Sequence, residues 1–107
     1  MKISKVINKI YNKQNQRLEY HILGLEDWEF FDTILSFLKK SYDIEIQSFS
    51  DGIVTRKYEL LYKGECFTLE HHGDIGNSFY GVDGSKFLES IANDFEEKLK
   101  DVPYITN

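Results

Sequence analysis

Most of the polar chemistry in this chain is concentrated in one run, Phe67-Thr68-Leu69-Glu70-His71-His72-Gly73-Asp74-Ile75-Gly76-Asn77. It holds two of the three histidines, two carboxylates and an amide, and it ends in a glycine-punctuated loop. If its first half is a strand, neighbouring side chains point to opposite faces of a sheet. His71 and His72 then cannot grip one metal ion or one substrate atom. Cys66, Thr68, Glu70 and His72 would share a face, with Asp74 just beyond. A carboxylate and an imidazole two residues apart can ligate an ion with a loop oxygen as third ligand. Against that, Glu70 faces Lys57 across a hairpin, a pairing worth roughly 0.2–1 kcal/mol, and His72 suits a wet strand face. No metal site is expected.

Catalytic sets are equally incomplete. Cys66 and His72 share a face, but six strand residues span about 20 Å, beyond hydrogen-bond reach. Only a neighbouring strand could bring another histidine, such as His21, to the thiol. The consecutive pairs Glu26-Asp27 and Glu96-Glu97 fan apart on helices and suit solvation, not acid–base work. Gly73, Gly76, Gly81 and Gly84 lack the following lysine and leading parallel strand of a phosphate-cradling loop, so they read as turn glycines. The chain is therefore expected to be non-enzymatic, with no cofactor.

The elements that must position these residues are legible in part. From Glu26 to Tyr42, apolar groups at Trp28, Phe30, Phe31, Ile34, Leu35, Phe37, Leu38 and Tyr42 predict a helix. They cover about half its circumference, more than one core-facing stripe requires. The surplus asks for a cover, either the N-terminal segment or a second protomer, so a homodimer is one expectation. Acids in its first turn and Lys39-Lys40 in its last suit the helix dipole. A second helix is predicted from about Ser85 to Asp101, with Phe87, Leu88, Ile91, Ala92, Phe95 and Leu99 as its stripe. Glu89, Asp94, Glu96, Glu97 and Asp101 make its other side acidic, and Pro103 closes it.

Strands fill the interval. Ile44 and Ile46 alternate with Glu45 and Gln47, and Ser50-Asp51-Gly52 reads as a turn. A hairpin turning at Lys63-Gly64 sets Tyr62 opposite Glu65, Leu60 opposite Phe67 and Tyr58 opposite Leu69, with Tyr58, Leu60, Phe67 and Leu69 facing the core. Phe79–Val82 predicts a short last strand. Leu18, Tyr20 and Ile22 alternate with Glu19 and His21. Ile3, Val6, Ile7 and Ile10 fit a helical stripe, yet they are β-branched and joined to that strand by the short link Lys13–Gln16, which favours a hairpin over residues 3–11. The fold class expected is α+β: a two-layer single domain over 1–107, an antiparallel sheet of about four to six strands, and two helices on one face.

Composition sets the limits. A chain of 107 residues, 41% hydrophobic and 15% aromatic with a single proline, makes one modest core. Cys66 is the only cysteine, which rules out an internal disulfide and a cysteine zinc site. The start, Met1-Lys2-Ile3-Ser4-Lys5-Val6, offers no unbroken apolar stretch, so neither a secretory signal nor a membrane association is expected, and the cytoplasm is the expected location. The net charge of −5 is uneven: five bases against one acid in residues 1–20, then 8 bases against 17 acids. Such a body repels nucleic acid and favours basic partners.

The stretch Arg17-Leu18-Glu19-Tyr20-His21-Ile22-Leu23-Gly24-Leu25-Glu26 opens the first helix. A hairpin bearing Phe67-Thr68-Leu69-Glu70 follows, and then an acidic terminal helix. This layout resembles the small acidic immunity proteins of bacterial toxin–immunity systems, contact-dependent inhibition among them. The resemblance covers most of the chain as a layout and rests on no diagnostic motif, so no contact residue is carried over from it. It implies a cytoplasmic protein that binds and blocks a cognate toxin domain, often a basic nuclease. The residues themselves place the expected partner surface on the exposed hairpin face and its end loop: Glu59, Glu70, His72, Asp74, Asn77 and Tyr80.

Overall fold

Two hairpins with strong turn chemistry organise the sheet. At Lys63-Gly64 both central residues take positive φ, 47° and 85°, the mirror-image turn whose twist matches that of paired strands. It joins β4 (Thr55–Tyr62) to β5 (Glu65–His72) in the expected register: Tyr62 opposite Glu65, Leu60 opposite Phe67, Tyr58 opposite Leu69. The second hairpin joins β1 (Ile7–Asn12) to β2 (Arg17–Ile22). There the Asn12 side chain accepts the Asn15 amide at 3.0 Å, and Gln16 takes a φ of 53°. The hairpin reading of the N-terminal segment thus holds from Ile7 onward.

The computed structural model describes residues 7–22 and 28–99, without the side chains of Trp28, Glu29 and Leu99. The expectations for residues 3–6, for Glu26 and Asp27, for the Trp28 border of the first helix, and for Leu99, Asp101 and Pro103 lie outside the described residues.

Helix α1 (Trp28–Ser41) follows β2. The chain then runs β3 (Glu45–Asp51), β4, β5 and β6 (Gly76–Tyr80) as an antiparallel meander before α2 (Lys86–Leu99). The sheet order is β1-β2-β6-β5-β4-β3, so the meander folds back to pair its last strand with β2. The fold is α+β, with six antiparallel strands and both helices on one face. Tyr20, Ile22, Leu60, Phe67, Leu69 and Phe79 meet Phe31, Ile34, Leu38, Leu88, Ile91 and Phe95 in a single core.

The broad apolar arc of α1 is used inside the chain. Phe31 stacks on Tyr58, centroids 5.5 Å apart, while Phe37 meets Phe95 of α2 at 5.0 Å. One flank lies on the sheet and the other on the second helix. The described cover of the Phe37 flank is therefore α2.

Helix α2 begins at a serine cap. Ser85 Oγ accepts the Leu88 amide at 3.2 Å and donates to Glu65. Its acidic side is largely engaged in fixing neighbours. Glu89 takes Lys9 and the Tyr20 hydroxyl, each at 2.6 Å; Asp94 takes the Tyr42 hydroxyl; Glu96 takes the Ile7 amide at 2.6 Å.

Six strands about 4.8 Å apart are wider than two helices of roughly 10 Å can roof. The strand left outside is β3, all seven of whose residues are exposed. Its register shifts between Ile46 and Ser48, a bulge that interrupts the edge.

Candidate functional site

The sheet face away from the helices carries the polar chemistry. Alternation along β2 sends Leu18, Tyr20 and Ile22 toward the core and Arg17, Glu19 and His21 outward. The register of β2, β6 and β5 then aligns His21, Ser78 and Glu70 in one row across three strands. Thr68 and Tyr80 form the next row toward one end, and His72 lies toward the other.

Arg17 is the hub. Its Nε donates to Glu19 Oε2 at 2.7 Å, its Nη2 lies 3.8 Å from Glu70 Oε1, and its guanidinium rests on the Tyr80 ring, 3.6 Å from the centroid. The Tyr80 hydroxyl donates to Glu70 Oε1 at 2.6 Å. His21 Nε2 lies 2.9 Å from Glu19 Oε1, and Asn12 Nδ2 donates to Glu19 Oε2 at 3.2 Å. Farther along, Thr68 donates to Glu59 at 2.6 Å. These groups lie deep although no described helix covers them: Glu19 is 5% exposed and Tyr80 7%.

Electrostatics follow from this packing. Burial pushes the Glu19 carboxyl up, but hydrogen bonds from His21 and Arg17 and their charges outweigh it, leaving the pKa below the ordinary value. Burial, and then donation to Glu70, push the Tyr80 hydroxyl well above the usual phenol range. Tyr20 and Tyr42 shift the same way for the same two reasons, through Glu89 and Asp94. This acid-rich chain satisfies many of its carboxylates with hydroxyls instead of lysines. The result is a fixed negative surface, since a hydroxyl orients a carboxylate without neutralising it.

Between the β1–β2 turn and the β5–β6 turn runs a cleft of about 220 Å³. Arg17, Glu19, His21, Glu70, His72 and Ser78 line it with Asn12, Gln14, Asn15 and Ile75. No group of three or more metal-ligating side chains occurs among the described residues.

The residues predicted for the partner surface are divided by the structure. Glu59, Glu70 and His72 lie on the outer face. Asp74 is exposed on the turn, where its amide donates to His72 Nδ1 at 3.0 Å. Tyr80 belongs to the same face, but it lies beneath Arg17 and offers no open aromatic surface. Asn77 is on the other face, 1% exposed, with its Oδ1 2.8 Å from His71 Nδ1 under Phe31. Strand β6 begins at Gly76, so Asn77 is a strand residue and not part of the loop, and parity turns it inward. Glu70 does sit opposite Lys57 in the ladder, yet both of its described contacts, Tyr80 and Arg17, lie on the β6 side. Cys66 is exposed.

Arg17, Glu19, His21 and Ser78 were not among the predicted site residues. The alternation of β2 already puts the first three on one face. That this face adjoins Glu70 depends on β2 pairing with β6, some 55 residues later, which no local pattern encodes.

Comparison of the chain with protein-family models, with curated proteins and with solved structures yields no match in any of the three. No described helix is long and apolar enough to cross a membrane.

Proposed function

We propose that this protein is a non-enzymatic, cytoplasmic immunity-type inhibitor, which binds a cognate bacterial toxin through the outer face of its sheet and prefers a basic target such as a nuclease domain. The observation that supports this most is the deep, ordered ion network on a sheet face that no described helix covers. A face that served only solubility would need charge, but not charge held in place. Fixed negative groups steer a basic partner and give it defined counter-charges on arrival.

Glu59 and Asp74 are the exposed acids flanking the network, so they suit a test that leaves the fold intact. Co-expression with a toxin domain encoded immediately upstream should protect cells. Combining Glu59→Lys with Asp74→Lys should slow association and weaken its dependence on ionic strength, because less attraction is left for salt to screen. No protection by the unaltered protein against such a domain would sink the reading.

A second reading has its own observation. On β3 and the following turn, Ile46, Phe49, Ile53 and Val54 are exposed, with Phe49 46% accessible. An exposed edge with apolar side chains is a natural pairing surface, which suits a small regulatory or structural domain that self-associates there. Light scattering across concentrations separates the two, because the inhibitor reading needs only a monomer.

A further inference from the structure

The outer-face cleft has a more specific chemistry than a diffuse acidic surface. We propose that it is a socket for one arginine side chain of a protein partner, an inference that rests on the inhibitor reading above and assigns it a contact.

Size comes first. At about 220 Å³ the cleft is smaller than the ~300–1,000 Å³ of small-molecule sites, so it suits one side chain better than a free metabolite. Charge comes second. Two carboxylates, Glu19 and Glu70, line it against one guanidinium, Arg17.

Hydrogen-bonding capacity is the third argument and the most specific. Glu19 uses both oxygens, on His21, Arg17 and Asn12. Glu70 makes both of its described contacts through Oε1, leaving Oε2 as an acceptor. Directly across the ladder from it stands Ser78, 6% exposed, whose hydroxyl makes no hydrogen bond among the described residues. Buried hydroxyls are almost always paired, so an orphan one lining a cleft marks a place where something is received. Two neighbouring acceptors match a group that only donates. Guanidinium presents five N–H bonds in a planar fork, able to reach a carboxylate and a hydroxyl together, whereas ammonium is a compact point charge. Arg17 shows that a guanidinium fits this environment, lying on Tyr80 between Glu19 and Glu70.

N-acetyl-arginine amide, titrated into the full chain and followed by amide NMR shifts, isolates the socket from any toxin. N-acetyl-citrulline amide, its uncharged isostere, and N-acetyl-lysine amide serve as comparisons. Saturable shifts centred on His21, Glu70 and Ser78 are expected with the arginine probe, weaker ones with lysine and none with citrulline. Glu70→Gln keeps an acceptor for Tyr80 and should weaken arginine binding about tenfold, the effect of losing one charge-assisted hydrogen bond. Ser78→Ala, which removes no described contact, should weaken it severalfold. Absence of saturable shifts, equal response to citrulline, or indifference to both substitutions overturns the socket. The outcomes separate the two proposals. Arginine binding without protection against a toxin leaves the socket and removes the inhibitor reading. Protection without arginine binding does the reverse.

Discussion

At the scale of single residues, the fold depends on a few positions where no other side chain fits. Gly81 follows β6, and a Cβ built there would lie 2.9 Å from the Phe67 Cβ and 3.1 Å from the Cys66 carbonyl oxygen. The obstacle is a neighbouring strand, which cannot swing aside as a flexible side chain would. Gly81→Ala should therefore destabilise by about 1–3 kcal/mol, as overpacking typically does, with the loss read from the urea midpoint. An unchanged midpoint would mean that β5 and β6 separate more readily than their packing implies. Asn77 teaches the opposite lesson about polar side chains: an amide beside glycine looks like loop chemistry, yet here it is an inward strand residue holding His71.

At the scale of elements, what could be read in advance was whatever neighbours in sequence decide. The β4–β5 hairpin followed from Lys63-Gly64 and from alternation on both sides, because turn type and side-chain parity fix a register together. The helices followed from their apolar stripes. The use made of the α1 arc did not, since Phe37 meets a residue 58 positions away, and neither did the cleft, which two non-adjacent segments build. The Lys63 turn also allows a quantitative expectation. Holding a lysine at φ 47° costs about 1–2 kcal/mol relative to a residue at ease there. Its ammonium, 5.3 Å from the Tyr62 ring centroid, returns only about 0.5–1 kcal/mol at an exposed site. Lys63→Asn should thus stabilise by about 0.5 kcal/mol, because asparagine tolerates the left-handed region. A lowered thermal midpoint would show that the cation–ring contact outweighs backbone strain.

At the scale of the whole molecule, acid sensitivity follows from two carboxylates. Glu19 is held below its ordinary pKa of 4.5 because the His21 and Arg17 interactions outweigh burial; Glu89 is lowered by Lys9 first and then by Tyr20. A group whose folded-state pKa is depressed lends stability that is fully present above the unfolded value and fades as pH falls through the folded one. Stability should therefore drop below about pH 4.5. Glu19→Gln should lower it at neutral pH and flatten the acid limb, so that the two curves converge in acid. Parallel curves in a pH series of urea unfolding would rule out Glu19 as a contributor. The strand order carries a kinetic consequence as well. Strands β3 to β6 close through near neighbours, whereas β2 reaches β6 only after a connection that spans about half of the chain, and among the described residues three pairs secure that seam against eight between β4 and β5. Loop closure over such a separation is slow and comes late. Native-state hydrogen exchange should therefore find the His21 and Ile22 amides opening more readily than those of Leu60 or Leu69. Arg17, Glu19 and His21 ride on one side of that seam and Glu70, Ser78 and Tyr80 on the other, so each opening event dismantles the cleft while most of the sheet stays paired.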